Sequence, residues 1–126
     1  MHKSRLGGLI IDCQTDDLGV ATDFWTKALG YQAVQSSDPD DVGYVPFATG
    51  PDDPHIELQQ VSHASRVHLD IETDDVEAEV ARLENLGAVK IEKNSSWWIM
   101  EAPTGHRFCV VGAEGPAFAK RARTWS

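Results

Sequence analysis

Residues 11–17 read Ile-Asp-Cys-Gln-Thr-Asp-Asp, and residues 69–75 repeat this stretch as Leu-Asp-Ile-Glu-Thr-Asp-Asp. Asp12 and Asp70 are thereby related by an offset of 58 residues. A helix-like stretch follows each copy and ends on Leu-Gly, at residues 29–30 and again at 86–87. Two matched halves are too few for a solenoid, which needs at least about three repeats. They predict two half-domains pressed together, with a ligand cavity where they meet.

The first half is predicted to have the order β-α-β-β-β. Residues 9–13 form an apolar strand, and Asp16 or Asp17 then caps a helix that Gly30 ends. Three further strands are predicted at residues 31–35, 42–49 and 56–61, separated by turns at residues 36–41 and 50–54. Pro46 marks the middle one of these strands as an edge strand or a bulge.

The second half repeats this order. A strand at residues 67–71 leads to Asp74, which with Glu77 predicts a capping box and a helix that ends at Gly87. Strands are predicted at residues 89–91, 96–100 and 108–111. The fold class is therefore α+β, with one domain over residues 1–126. It is built of two tandem βαβββ modules, at about 6–61 and 65–112, whose curved sheets surround a shared cavity, while the tail 113–126 is peripheral.

The charge and the apolar pattern exclude some functions. The chain has 20 acidic and 11 basic residues, a formal net charge of −9, which argues against nucleic acid and against anionic membranes as partners. No apolar run is long enough to span a bilayer, and the residues before Asp12 lack the apolar core of a signal peptide. A cytoplasmic location is expected, in which Cys13 and Cys109 stay thiols.

Four stretches together resemble a known superfamily. They are residues 24–30 (Phe-Trp-Thr-Lys-Ala-Leu-Gly), 68–70 (His-Leu-Asp), 86–88 (Leu-Gly-Ala) and 103–111 (Pro-Thr-Gly-His-Arg-Phe-Cys-Val-Val). In this order and spacing the chain resembles the vicinal oxygen chelate superfamily over about residues 6 to 112. That superfamily includes glyoxalase I, bleomycin-resistance proteins and extradiol dioxygenases, and the nearest likeness is to small glyoxalase-like domain proteins.

The resemblance implies four metal ligands, from the first and last strands of each module. The first position falls on or near Gly8, which has no side chain to ligate, and the second is filled by Glu57. The third falls near Arg66, with His68 one pleat further along the same face. The fourth holds Cys109 in place of the usual glutamate. No tightly bound metal is therefore expected; if a divalent ion (Zn, Ni, Mn or Fe) binds, Glu57 and His68 are its expected ligands.

Glu57 and His68 are the candidate catalytic residues, and each has a structural alternative. Glu57 faces either the cavity, as a general base, or solvent. His68 is either a hydrogen-bonded core histidine or an acid–base group or ligand. Asp70 lies on the same strand face as His68 and would orient the imidazole. Because Asp70 repeats Asp12, a structural role for Asp70 is equally indicated.

The remaining candidates are predicted to line the ligand cavity. Trp97 and Trp98 are adjacent in a strand and face opposite ways, one towards the core or an interface and the other towards the cavity. Tyr44 adds to an aromatic wall, whereas Trp25 is expected in the helix–sheet core. The full ligand-binding set is Trp97, Trp98, Tyr44, Arg66, Asp70 and Cys109.

Three functions remain open on these grounds. The first is binding of a small organic ligand with a degenerate or absent metal site. The second is a divalent-metal-dependent lyase, isomerase or dioxygenase-type enzyme of the glyoxalase superfamily, and the third is a non-catalytic interaction module. A homodimer is expected, because relatives often pair modules across two chains.

Overall fold

The computed structural model describes residues 1–35, 39, 42–50, 53–113 and 117–126. It is a mixed α+β structure that divides into two compact units. The first unit is residues 8–67, and the second unit is residues 1–7 together with 68–126. The long strand β1 (His2–Gln14) contributes to both. None of the helices in the described ranges is long and apolar enough to cross a membrane.

The first unit places helix α1 (Leu18–Leu29) against three strands. Strand β3 (His55–Val61) pairs in parallel with β1 and antiparallel with β2 (Tyr44–Pro46). Strand β2 ends this strand order, so the edge position predicted from its proline is confirmed. The core joins Cys13, Phe47 and Leu58.

Helix α1 begins and ends where the sequence predicts. The Asp17 carboxylate accepts a hydrogen bond from the Gly19 backbone N–H at 2.9 Å, which satisfies an otherwise unpaired donor of the first turn. Gly30 ends the helix at φ 79°, a left-handed conformation that favours glycine. Trp25 packs against the core, as expected.

The predicted strand at residues 31–35 is wrong. This segment forms only an isolated bridge between Ala33 and Phe47, flanked by backbone hydrogen bonds from Val34 to Pro46 and from Ala48 to Gln32. Pairing in residues 31–35 does not extend beyond this bridge into a strand. Of the predicted turn at 36–41, only residue 39 is described. The predicted turn at 50–54 is described except for residues 51 and 52, and its Asp53 N–H donates to the Gly50 carbonyl at 3.1 Å.

The second unit contains a sheet in the order β4-β7-β6-β5, with helix α2 (Val76–Asn85) packed on one face. The strands are β4 (Arg66–Thr73), β5 (Val89–Asn94), β6 (Trp97–Glu101) and β7 (Arg107–Gly112). Strands β4 and β7 are parallel, and the other pairs are antiparallel. The core joins Val80, Leu83, Met100 and Val110.

The N-cap of α2 is Asp75 rather than the predicted Asp74. The Asp75 carboxylate accepts a hydrogen bond from the Ala78 N–H at 3.1 Å. Asp74 instead accepts a hydrogen bond from the Lys3 N–H at 2.8 Å, and this engages its carboxylate with the neighbouring strand. Because each half has two adjacent aspartates before its helix, the sequence alone does not show which of the two is the N-cap.

The C-terminal segment is not peripheral, contrary to the sequence-based expectation. It forms helix α3 (Ala117–Arg121) and strand β8 (Arg123–Trp125), which pairs antiparallel with His2–Ser4. Phe118 is buried, and the Trp125 indole N–H donates to the Ser4 hydroxyl at 2.8 Å. Two isolated aromatic side chains anchor a polar tail, and hydrophobic periodicity does not report such anchors.

Candidate functional site

The second unit presents a polar sheet face opposite helix α2. Ile71 on β4 and both Phe108 and Val110 on β7 belong to the core beneath that helix. Successive strand residues point to opposite faces, so His68 and Asp70 on β4, and Cys109 on β7, point away from α2. The strand register sets Asp70 directly opposite Cys109.

These three residues form a compact cluster. One potential ligand atom from each of His68, Asp70 and Cys109 lies within 4.8 Å of the other two. His68 Nε2 is 3.5 Å from the Asp70 carboxylate, and their side chains are only 11% and 21% exposed. Imidazole, carboxylate and thiol are all groups that exchange protons or bind metals.

Two arginine–glutamate pairs accompany the cluster on the same face. The Arg107 guanidinium lies 3.0 Å from the Glu101 carboxylate, and Arg5 of β1 forms an ion pair with Glu72. Each of these arginines thus has a carboxylate partner on this face.

The two tryptophans face opposite ways, as the sequence predicts. Trp98 packs against the core under α2, and the Lys90 ammonium lies 5.1 Å from its ring centroid. Trp97, one residue earlier, therefore lies on the face that carries Cys109. Because Trp98 packs in the core, only Trp97 of the pair stays a predicted ligand contact.

The first unit presents a comparable face opposite α1. Ile56 and Leu58 pack in its core, so Glu57 between them points the other way. The Glu57 side chain is 19% exposed, and its carboxylate lies 3.2 Å from His55 Nε2. Beside it, the Gln59 amide donates to the Tyr44 hydroxyl at 3.0 Å.

Arg66 has a structural contact in the first unit. Its Nε lies 3.6 Å from the carboxylate of Asp12, a residue only 2% exposed. Its Nη2 also lies 3.3 Å from His63 Nε2. Arg66 thus provides a positive charge for a buried carboxylate, which a buried anion requires.

Of the two free cysteines, Cys13 is the unreactive one. It is buried in the first core, and this burial, followed by the charge of Asp12, raises the pKa of its thiol. A raised pKa disfavours the nucleophilic thiolate. Cys109, in contrast, is half-buried and lies in the polar cluster on the sheet face of the second unit.

The residues present do not fit the four-ligand metal site that the resemblance implies. A Cβ atom at Gly8 would lie 2.8 Å from the backbone oxygen of His55, so this strand position is closed to a side chain. The glutamate expected in the last strand is Cys109. Glu57 and His68 remain of the set, one in each unit.

The candidate residues divide between the units. Glu57, Tyr44 and Arg66 lie in the first, whereas the other candidates, His68, Asp70, Trp97, Trp98 and Cys109, lie in the second. Convergence of Glu57 with His68 stays a prediction. Sequence reasoning missed the grouping of Cys109 with Asp70: the spacing of His68 and Asp70 on one strand is visible in the sequence, but the register across to β7 is not.

An open groove also occurs in the first unit, on the helix side. It is lined by Leu18, Thr22 and Thr26 of α1 and by Tyr31 and Ala33. It contains none of the predicted site residues, so it does not coincide with the polar face around Glu57.

The repeated modules and the polar sheet faces define a protein of the vicinal oxygen chelate superfamily. The family model described as a glyoxalase-like domain matches residues 8–111, and the chain belongs to that family. None of the curated proteins matches this chain.

Solved structures with low sequence identity share the fold. Methylmalonyl-CoA epimerase from Mycobacterium tuberculosis is similar with a TM-score of 0.63 and 18% identity, over 91% of each chain. A hypothetical protein from Bacillus halodurans has a TM-score of 0.67 at 12% identity, over 90% of this chain and 96% of its own. A methylmalonyl-CoA epimerase variant from Streptomyces coelicolor, in complex with 2-nitronate-propionyl-CoA, has a TM-score of 0.58 at 17% identity, over 89% of this chain and 98% of its own.

Proposed function

We propose that this protein binds a small organic ligand through the polar sheet faces opposite its helices. The observation that carries this proposal is the cluster of His68, Asp70 and Cys109, three chemically active side chains grouped on a sheet face with low exposure. A small number of polar groups placed together commonly fixes the orientation of a bound small molecule. Glu57 and Tyr44 are proposed as ligand contacts on the corresponding face of the first unit.

Glu57 and His68 each have the chemistry to move a proton. A carboxylate accepts a proton from an acidic carbon or hydroxyl, and an imidazole exchanges protons near neutral pH. Both groups suit a ligand with carbonyl or carboxylate oxygens. Because two of the structural neighbours are methylmalonyl-CoA epimerases, an acyl-CoA is the first ligand class to test.

Two alternatives stand beside ligand binding. A divalent-metal-dependent lyase or isomerase is favoured by the ligating chemistry of the same cluster. A non-catalytic interaction module would instead use the half-buried Trp97 as contact surface. The alternatives differ in whether the protein binds small molecules. A ligand-binding protein or an enzyme should bind one, whereas an interaction module should not.

The test is ligand-induced thermal stabilisation of the full chain with methylmalonyl-CoA, bleomycin and catechol as probes. At least one probe should raise Tm, because a ligand that binds only the folded state stabilises it. Glu57→Gln and His68→Ala should each weaken that probe's binding at least about tenfold, roughly 1.4 kcal/mol.

Matched controls are Glu84→Gln on α2 and His106→Ala in an exposed turn. Both should keep the binding of the native chain. Equal losses in the control and site variants would contradict the assignment. Absence of stabilisation by all three probes, with every variant folded, would favour the interaction module.

We also propose that the protein is a cytoplasmic homodimer. Two reduced thiols suit that compartment. Light scattering at tens of micromolar should report twice the mass of 13.8 kDa. A mass of one chain over this range would reject the dimer.

A further inference from the structure

We propose that two copies of this chain associate through the exposed face of helix α1. Two large apolar side chains of this helix, Val20 and Phe24, are 66% and 60% exposed. The contact presupposes the homodimer proposed above and supplies the surface that forms it. This surface is made by the helix of the first unit, so it is separate from the polar sheet faces proposed for ligand binding.

Three exposed apolar residues form a stripe along α1. Val20, Phe24 and Ala28 follow one another at intervals of four residues, so they lie on the same side of the helix. Trp25 packs against the core, and its ring meets the Phe24 ring edge to face, with the ring centroids 5.0 Å apart and an angle of 88° between the planes. A residue anchored in the core thus supports the exposed ring. Aromatic side chains are enriched in the cores of protein interfaces.

The duplicated modules provide an internal comparison. The offset of 58 residues that relates them places Phe24 at the position of Arg82 on α2. The Arg82 side chain is only 24% exposed, because it pairs with Glu79 and lies 3.9 Å from the centroid of the Trp125 ring. In the second unit, the last strand of the chain therefore covers this side of the helix. In the first unit, the residue at the same position is apolar and largely open to solvent.

The charges of α1 also suit a contact between identical chains. Each chain has a formal net charge of −9, so two copies repel each other except where the local charge is balanced. Beside the apolar stripe, the Lys27 ammonium lies 3.0 Å from the Asp23 carboxylate, and these two charges cancel. The first turn of α1 has no acidic residue, whereas that of α2 has Glu77 and Glu79. Helix α1 thus offers a surface on which two acidic chains can meet.

This face is complementary to a second copy of itself. In an antiparallel helix pair related by a two-fold axis near Phe24, each Phe24 ring lies beside the partner's Phe24. Val20 then lies beside the partner's Ala28, whose small side chain leaves room for it. Asp23 and Lys27 are about 6 Å apart along the helix, so the antiparallel direction brings each Lys27 towards the partner's Asp23. Because one surface supplies both halves of the contact, a second copy fits it better than an unrelated protein.

The length of α1 predicts a weak, reversible dimer. The helix has 12 residues and is therefore about 18 Å long. A contact of this extent buries less than about 1,200 Å² in total, which is the range of transient complexes. We therefore expect association in the micromolar range, so that the dimer forms at tens of micromolar and dissociates on dilution.

Light scattering of the full chain over the micromolar range tests this face. Phe24→Glu should weaken association at least about tenfold, because it replaces the central ring by a charge. Leu86→Glu is the matched control, because Leu86 at the end of α2 is 66% exposed and its replacement adds the same charge. This control should associate like the native chain, and circular dichroism should show that both variants are folded.

Exchange of charges tests the antiparallel arrangement. Asp23→Lys puts two cations on the face, and Lys27→Asp puts two anions there. Each variant alone should associate at least about tenfold more weakly than the native chain, because like charges then meet across the contact. An equimolar mixture of the two variants should associate again, because each face then meets one of opposite charge.

The outcomes separate this contact from the other proposals. Unchanged association in folded Phe24→Glu, or equal losses in Phe24→Glu and Leu86→Glu, would overturn the α1 contact while the homodimer stands. A mixture of the charge variants that does not recover association would overturn the antiparallel packing. A native chain that stays monomeric throughout the range would reject both the homodimer and this face. All of these outcomes are read without an organic probe, so ligand binding is tested separately.

Discussion

Replacement of Glu79 by alanine should destabilise the protein by about 3 kcal/mol. The Glu79 side chain is fully buried, and its carboxylate accepts two hydrogen bonds of 2.8 Å from the Arg82 guanidinium. His2 Nε2 lies 2.8 Å from the same carboxylate, and the Trp125 ring lies 3.9 Å from the Arg82 guanidinium carbon. One carboxylate thus links α2 to the first strand and, through Arg82, to the last.

The magnitude follows from the unequal burial of the pair. Removal of one partner of a buried ion pair costs about 3–5 kcal/mol, because the other charge is left without compensation. Arg82 is 24% exposed, so water partly solvates its charge and the lower end of this range applies. With an unfolding entropy of about 2.1 cal/mol/K per residue over 126 residues, 3 kcal/mol lowers Tm by about 11 °C.

Glu77→Ala is the matched control for this measurement. Glu77 is on the same helix, but its side chain is 69% exposed and its carboxylate is 3.7 Å from Lys93. An exposed pair of this kind contributes less than about 1 kcal/mol. Thermal unfolding followed by circular dichroism should separate the two variants by several degrees. Equal Tm values would refute the assignment of Glu79 as a buried link between these elements.

Two further predictions concern the same network. Burial raises the pKa of the Glu79 carboxyl, but hydrogen bonds from Arg82, His2 and Ser4 and the Arg82 charge outweigh burial, so the net pKa is lowered from 4.5. The ionised Glu79 carboxylate therefore stabilises the fold fully above about pH 4.5, and this stabilisation is lost as the pH falls through the lowered pKa. In Glu79→Gln, Tm should therefore fall less steeply as the pH is lowered. Deletion of residues 123–126 should lower the free energy of unfolding by about 2 kcal/mol, because the Trp125 hydrogen bond and cation–π contact are lost. Trp125→Phe removes only the hydrogen bond and should cost less. Equal Tm values for the deletion variant and the native chain would contradict the role of β8.

The duplicated stretch is sufficient to predict most of the fold. Alternation of apolar residues finds the strands that cross the cores, and the aspartate and glycine at each end locate both helices within one residue. The failures share a physical cause. Residues 31–35 and the C-terminal segment are held by a few tertiary contacts, such as Ala33 with Phe47 and Trp125 with Ser4, and local sequence patterns do not show them.

The candidate site was less visible than the fold for a similar reason. Strand alternation correctly separates Trp97 from Trp98, because it needs only the period of a strand. The grouping of Cys109 with Asp70 depends on which residues of two parallel strands stand opposite each other. Parallel strands are joined by long connections, so no short turn fixes their register in the sequence. From the sequence alone, Cys109 therefore counts as a lost ligand rather than as a member of a cluster.

Gly8 offers a direct test of why the superfamily's metal site is incomplete here. A Cβ atom at this position would lie 2.8 Å from the backbone oxygen of His55, its neighbour on the parallel strand β3, and backbone has little freedom to move away. Gly8→Ala should therefore cost about 1–3 kcal/mol, as overpacking does. Gly112→Ala, where a Cβ meets nothing within 4 Å, is the matched control and should change Tm little.

The same geometry predicts that a histidine introduced at Gly8 will not restore metal binding. Gly8→His must first displace β1 from β3, so it should lower Tm at least as much as Gly8→Ala and leave the affinity for Co²⁺ unchanged. A gain in cobalt affinity in a folded Gly8→His variant would show that the strand yields and that the first ligand position is only vacant. Without such a gain, β1 is closed to a ligand by its own packing, and any metal that this protein binds must use other side chains.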